Sequence, residues 1–572
     1  MNRFPIGRLH MYPRIGLVPF QLDPARGSAQ RACDWLWGGL VENLVQIVGT
    51  ALVGFLAALS IVAVSAAAQI SPPEPDPLAR MRQAAAANTQ ACSESEISAC
   101  AQAAPKIIAN ALGASPLAEN LRRLTDGIGG RLTGSPAMAK AVEWAVTAFH
   151  DAGVENVHTE KFTIPHTWGE GATHIAILSP SAFPVHAVSV AWSPATPPGG
   201  IEADLLDAGD GGPEDFARMG SAARGAILLI HTEALRTFND LFAEYLRNPA
   251  IIERAASAGA GAILWMGTRE GLVLYRHLTG LGQDGSVEKL PQAIVAREDA
   301  QRLARDLAAG ERIRLRLELP NRIGGPAEEQ NVIAEIRGRE RPSEFVVLGA
   351  HLDSFELGTG ALDDGCNAAL VIEAARDIHL TGLRPKRTIR FVLFSGEEEG
   401  MLGSWAYVRT HRDDLDRTDA AILFDEGSGR VTGFSLGGRH DLQPEVLRQA
   451  LAPLNSWGVN RFTDDAILGT DNLDFLLEGV PNLVANQEEA NYVPNYHASS
   501  DTYDKVDILS LKLNTAVAGV LAFSLAEYAT PLGPRLSRPE IEALLKKTGL
   551  DSQLKTLDVW PYWEGGRRGR QP

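Results

Sequence analysis

Cysteine is scarce, with four in 572 residues. That excludes a disulfide scaffold and a Cys-rich zinc module. Positive charge is in deficit: 53 Lys and Arg against 70 Asp and Glu leave a net charge of −17. Such a field repels phosphate backbones, so nucleic acid is not an expected partner. Long apolar stretches are rare too, which excludes a multi-span membrane protein. There is no internal repeat, no heptad run and no H-E-x-x-H, which argues against a single-helix zincin. What is present is an ordinary globular balance, 45% hydrophobic and 22% charged. At about 150 residues per domain, the length accommodates two to four domains.

One uncharged run occupies residues 44–68. Arg3, Arg8, Arg14, Arg26 and Arg31 precede it, and Ala66-Ala67-Ala68-Gln69 closes it. A basic lead, an apolar run and a small-residue exit describe a secretory signal. The run is also long enough to span a bilayer. Residues 1–69 are therefore read as a signal peptide or a signal anchor. The protein is expected to be exported: periplasmic, secreted, or tethered to a membrane facing outward if the segment stays uncleaved. The mature chain is expected to begin near Gln69. In an oxidising compartment Cys92 and Cys100 are expected to pair.

Residues 70–104 are rich in Ala, Gln, Ser and Pro and read as an arm. Residues 105–165 open an α/β unit: Ser135-Pro136 start a helix striped by Met138, Val142, Ala145, Val146 and Phe149, and Gly153 ends it. Residues 166–325 differ in texture, with short apolar runs between Gly-rich turns. Ile313, Leu315, Leu317 and Leu319 alternate there with charged residues, the period of a half-exposed strand. This block is read as a β-rich insert that forms a lid or side wall, since no His/Asp/Glu cluster stands at its strand ends. Over 326–530 strands and helices alternate again, which predicts a mainly parallel sheet with helices on both faces. The apolar stretch 511–529 is read as a core helix. Residues 531–572 form a C-terminal tail.

Three strand-like runs lead straight into ionisable residues. Residues 345–348 precede Gly349-Ala350-His351-Leu352-Asp353-Ser354. Residues 389–394 precede Ser395-Gly396-Glu397-Glu398-Glu399-Gly400, and 420–424 precede Asp425-Glu426-Gly427. In an open parallel sheet these groups converge on the carboxyl edge. Carboxylates crowded there repel one another unless a cation lies between them. Leu362-Asp363-Asp364-Gly365 and Tyr496-His497 are placed to complete the set. Imidazoles with carboxylates suit zinc, and five ligands exceed what one tetrahedral zinc with an open position needs. Two metals sharing a carboxylate fit the count.

His351-Leu352-Asp353-Ser354, the Asp363-Asp364-Gly365 turn, Gly396–Gly400 followed by Leu402-Gly403-Ser404, the strand-end Asp425 and the late Tyr496-His497 with Asp501-Thr502-Tyr503 resemble one family. It is that of the co-catalytic zinc exopeptidases, the group of bacterial leucyl aminopeptidase, carboxypeptidase Q and glutamate carboxypeptidase. The resemblance spans about 105–165 and 326–530, and implies a zinc-exopeptidase α/β fold with a protease-associated insert. It implies two zinc ions, one held by His351 and Asp425, the other by Glu398 and His497, with Asp363 bridging. Glu397 becomes the general base, with Glu399 as the runner-up. Asp353 becomes the carboxylate that receives the free N–H of His351, and Tyr496 the donor that steadies the oxyanion. Glu426 competes with Asp425 as a ligand. Thr470-Asp471-Asn472 departs from the Ser/Thr-Asp-His usual in relatives, and Cys366 and Asn367 replace small residues. His277, His379, His411 and His440 are expected to be solvated. The activity implied is removal of residues from peptide ends, as an aminopeptidase or dipeptidase, or as a carboxypeptidase. Glutaminyl cyclisation with one zinc and a non-catalytic ectodomain are the other readings. Peptides are the expected partners, and an oligomer is compatible with the sequence.

Overall fold

A computed structural model of the chain describes residues 99–276 and 287–571. Residues 1–69, Cys92 and His277 lie outside the described residues, so the signal, the cleavage point and the Cys92–Cys100 bridge do too.

Among the described residues the larger sheet has eight strands. From one edge they run Glu155–Ile164, Ala327–Ile336, Arg387–Phe394, Arg341–His351, Thr418–Leu423, Asn482–Gln487, Val431–Ser435 and Arg461–Thr463. The four from Arg387–Phe394 to Asn482–Gln487 are mutually parallel, and antiparallel pairs flank them. Their near-continuous burial matches parallel strands covered on both faces. The fold is thus mixed α/β with a helix-flanked sheet.

Helix Pro136–Asp151 begins where the sequence puts it: the Ser135 hydroxyl accepts from Met138 N at 3.1 Å, and Pro136 follows as the first helical residue. Helix Ile508–Glu527, the one described helix long and apolar enough to cross a membrane, is instead a core helix. It packs against helices Ala99–Ala111 and Cys366–Leu380, and almost every residue is buried.

Strands between His174 and Glu318 form a second sheet, with four consecutive parallel members: Ile201–Asp207, Ile227–Ile230, Ala262–Met266 and Gln292–Val295. This part is more helical than its Gly-rich texture suggests. Phe238–Ala258 is a 21-residue helix whose Thr237 and Asp240 form a capping box. Pro249 sits inside it and disguises the helical period.

Helix Cys366–Leu380 carries a buried acidic pair, Glu373 and Asp377. Both Asp377 carboxylate oxygens lack a hydrogen-bond partner, and burial, with Glu373 nearby, pushes its pKa up to about 8. Unfolded, the group titrates near 3.9. The folded state therefore holds the proton more tightly, and stability drains away as pH rises from about 4 to about 8. Asp377→Asn should relieve this, stabilising the protein by a few kcal/mol at pH 9 and far less at pH 5. Denaturation midpoints at the two pH values check it, and equal shifts would contradict it.

Candidate metal centre and its surroundings

Register brings the ionisable strand ends to one level. Gly349 pairs with Leu423, and His351 with Phe394. His351, the 397–399 turn and Asp425 therefore leave the sheet side by side. His351 Nε2 lies 3.2 Å from Asp363 Oδ1 and 3.3 Å from Asp425 Oδ1. His497 Nε2 lies 2.8 Å from Glu398 Oε2 and 3.3 Å from Asp363 Oδ2. One potential ligand atom from each of His351, Asp363 and Asp425 lies within 4.8 Å of the others, and the same holds for Asp363, Glu398 and His497. Asp363 is common to both groups, facing one with each oxygen.

The charges are concentrated and dry. Burial works against a proton on either imidazole, yet the carboxylates outweigh it. Asp425, Asp353 and Asp363 hold His351 well above its usual pKa, and Glu398 with Asp363 lifts His497 to about 9. Burial would raise Asp363, but the two imidazoles hold it well below the carboxylate range. Burial raises Glu398 to about 7 and raises Asp425. The carboxylates thus favour positive charge at both imidazoles. A divalent cation can supply that charge, leaving neutral nitrogen ligands. Glu398 Oε1, buried and without a hydrogen-bond partner, is a further sign that the donor set fits metal. Two imidazoles and three carboxylates suit zinc.

Glu397 is half-buried beside Glu398, and burial pushes its pKa well up, with Asp425 and Glu398 adding to the effect over the opposing pull of His351. Its turn is pinned by Asp353, whose Oδ1 accepts from Glu397 N and Oδ2 from Glu398 N, each at 3.2 Å. His351 Nδ1 lies closer to the backbone carbonyl of Asp353, 3.0 Å away, than to its carboxylate at 3.7 Å. The Asp353 carboxylate thus chiefly holds the 397–398 turn. Glu399 is buried on the Thr133 side of that turn, near Asp353 and Glu329. Glu426 turns away from the cluster: its Oε2 accepts from Gln487 N at 2.9 Å.

Tyr496 stacks on the His497 ring with centroids 3.6 Å apart, and its hydroxyl lies 3.1 Å from that of Tyr245. Burial pushes both phenols well above their ordinary pKa. His497 itself has φ +56°, a left-handed conformation unusual outside glycine.

Supporting residues surround these groups, and two of them, Arg131 and Gly360, carry no sequence signal of their own. Arg131, fully buried, donates to Leu352 O at 2.6 Å, Thr359 O at 2.7 Å and Gly360 O at 2.9 Å, joining the His351 loop to the approach to Asp363. Gly360 is left-handed there, and a Cβ on it would fall 2.2 Å from Ser354 Oγ. Asp501 accepts from Leu362 N at 2.7 Å and Asp363 N at 3.1 Å. Asn367 bonds Asp364 Oδ1 at 2.6 Å, and Asp471 is buried within reach of the His351, Asp353 and Asp425 charges. Of the outlying histidines, His379 and His440 are exposed. His411 is half-buried and bonds Glu160 at 2.8 Å, so the expectation of a solvated His411 does not hold. Gly433-Phe434-Ser435-Leu436-Gly437 has the spelling of a serine-hydrolase nucleophile motif. Ser435, however, ends a strand, is buried and donates to Asp465 O at 2.7 Å, so it is structural.

The C-terminal segment also reaches the site. Arg568, fully buried, pairs bidentately with Asp474 at 2.8 Å for each bond and donates to Gly400 O at 3.2 Å, at the end of the glutamate turn. Arg568→Met should strand the Asp474 charge and cost about 3–5 kcal/mol. Adding Asp474→Leu should recover most of that loss. Chemical denaturation of both variants checks this, and a fully stable single variant would contradict it.

Two candidate ligand groups share one carboxylate at the carboxyl edge of the parallel strands, an arrangement suited to a metallohydrolase. The chain belongs to peptidase family M28, whose sequence profile matches residues 331–522, and with it to the co-catalytic zinc exopeptidases. It is 31% identical over 411 residues to carboxypeptidase Q of Mus musculus, covering 72% of this chain and 85% of that protein. The crystal structure of a peptidase M28 precursor from Shewanella amazonensis matches with a TM-score of 0.70 at 27% identity, over 79% of this chain and all of that one. A zinc aminopeptidase from Bacillus subtilis shares the fold, with a TM-score of 0.57 at 21% identity, over 74% of this chain and 97% of its own.

Proposed function

We propose that this protein is an exported dizinc exopeptidase that hydrolyses short peptides as an aminopeptidase or dipeptidase. The observation that carries the reading is Asp363, which faces both ligand groups at once. His351 and Asp425 would hold one zinc, Glu398 and His497 the other, and Asp363 both. Bound there, the zinc pair supplies an acidified water and polarises the peptide carbonyl. Glu397 takes the proton from the attacking water and carries it to the departing amine nitrogen. Asp353 keeps Glu397 and Glu398 in step through their backbone N–H groups. Tyr496 donates its O–H to the carbonyl oxygen as negative charge builds on it.

The preference for a short substrate is our reading of the packing beside Tyr492 and Tyr496. Phe238 lies against Tyr492, with ring centroids 5.6 Å apart, and Phe242 lies over Gly469. The second-sheet unit, which we assign as the protease-associated insert, thereby crowds one side of the site. Carboxypeptidase action on the same centre is the second reading, favoured by the likeness to carboxypeptidase Q. Digestion of a peptide library followed by mass spectrometry separates the two. Ladders shortened from the amino end support the first reading, and ladders shortened from the carboxyl end support the second. Internal cleavage would overturn both.

A further inference from the structure

The helix Phe238–Ala258 belongs to the second-sheet unit, yet one of its faces lies at the metal centre. Phe238, Phe242 and Tyr245 stand at i, i+4 and i+7, one stripe on one side. Phe238 meets Tyr492, Phe242 covers Gly469, and the Tyr245 hydroxyl lies 3.1 Å from that of Tyr496. Nothing in the chemistry described so far uses Tyr245.

We propose that Tyr245 is a positioning residue for catalysis: its phenol donates to the Tyr496 oxygen and so turns the Tyr496 hydrogen towards the substrate carbonyl. A phenol is both donor and acceptor. Left alone, the Tyr496 hydrogen can take either of two orientations in the plane of its ring. With Tyr245 donating into that oxygen, the remaining hydrogen is directed away from Tyr245. Preorganising a donor before charge develops is what makes it effective in the transition state. The inference rests on the reading of Tyr496 as the oxyanion donor.

The backbone at Tyr496 is held by contacts other than the Tyr245 hydroxyl, and the Tyr496 ring stacks on that of His497. Arg269 Nη2 donates to Tyr496 O at 3.0 Å, Arg276 N donates to His497 O at 2.8 Å, and Ser499 N donates to Leu274 O at 2.8 Å. Tyr275 and Ala498 form an isolated antiparallel bridge between them. The backbone of the Tyr496–His497 loop is therefore tied to the second-sheet unit at successive residues. Removing the Tyr245 hydroxyl leaves those ties in place.

A double-mutant cycle on the zinc-loaded full chain tests this, with the dipeptide Ala-Leu as substrate. Its single peptide bond is cut whichever end the enzyme prefers. Tyr496→Phe is expected to lower kcat by about 10²-fold. Tyr245→Phe should lower kcat about tenfold with KM and thermal midpoint unchanged. The double variant should be no slower than Tyr496→Phe, because the first hydroxyl acts only through the second. Tyr245→Phe turning over normally while Tyr496→Phe is slow would overturn this proposal alone, as would losses that multiply in the double variant. Normal turnover by Tyr496→Phe would overturn the oxyanion reading and this inference together. A Tyr245→Phe loss accompanied by a lowered midpoint and a changed zinc content would assign the residue a packing role and overturn the proposal.

Discussion

Glu397→Gln is expected to retain the fold and about two zinc ions per chain while losing at least about 10²-fold in kcat. A zinc pair held here would acidify water and polarise a carbonyl, but would not ferry the proton to the leaving nitrogen. A carboxylate must touch the water without being consumed as a ligand. Glu397 sits next to Glu398 on a turn whose two N–H groups are both held by Asp353, at 3.2 Å each. The turn is closed by Gly400 N and Met401 N, which donate to Glu397 O at 2.8 and 2.9 Å. Glutamine keeps the shape and hydrogen-bonding reach but not the basicity. Glu398→Gln should differ by losing one zinc along with activity. Metal analysis beside steady-state kinetics separates the two. Normal turnover by Glu397→Gln, or loss of a metal from it alone, would move the base assignment to Glu399.

Asp363→Asn should be the more damaging change to metal binding. Each of its oxygens faces a different imidazole, so an amide in its place weakens both ligand groups together. Activity should fall at least as far as in Glu397→Gln. Zinc should also stop stabilising the protein. A ligand at about a hundred times its Kd adds about 2.7 kcal/mol to a native state that alone binds it. Wild type should therefore show a zinc-dependent rise in thermal midpoint, and Asp363→Asn little or none. An undiminished zinc-induced rise in the variant would deny Asp363 its central place.

The parts of the site legible in the sequence are those fixed by strand ends. Buried apolar runs stopping at His351, Glu397 and Asp425 announce both a parallel sheet and the edge where ligands gather. Asp363 and Tyr496-His497 are legible through the resemblance of their motifs. Distance along the chain hides the rest. Tyr245 lies 251 residues from the hydroxyl it meets, and Arg568 lies 168 residues from the carbonyl it holds. No local pattern marks either one. Nothing local marks Arg131, whose guanidinium donates to four backbone carbonyls. Asp353 was legible as a partner of His351, but which of its oxygens faces the ring depends on backbone geometry that spacing does not encode. The helix Phe238–Ala258 was obscured by Pro249, a residue that normally ends a helix.

Anomalous scattering at the zinc edge from crystals of the zinc-loaded protein tests the central assignment most directly. Two peaks are expected, about 3.5–4 Å apart, one beside His351 and Asp425 and the other beside Glu398 and His497, with Asp363 between them. A single peak, or two peaks that leave Asp363 unshared, would contradict it.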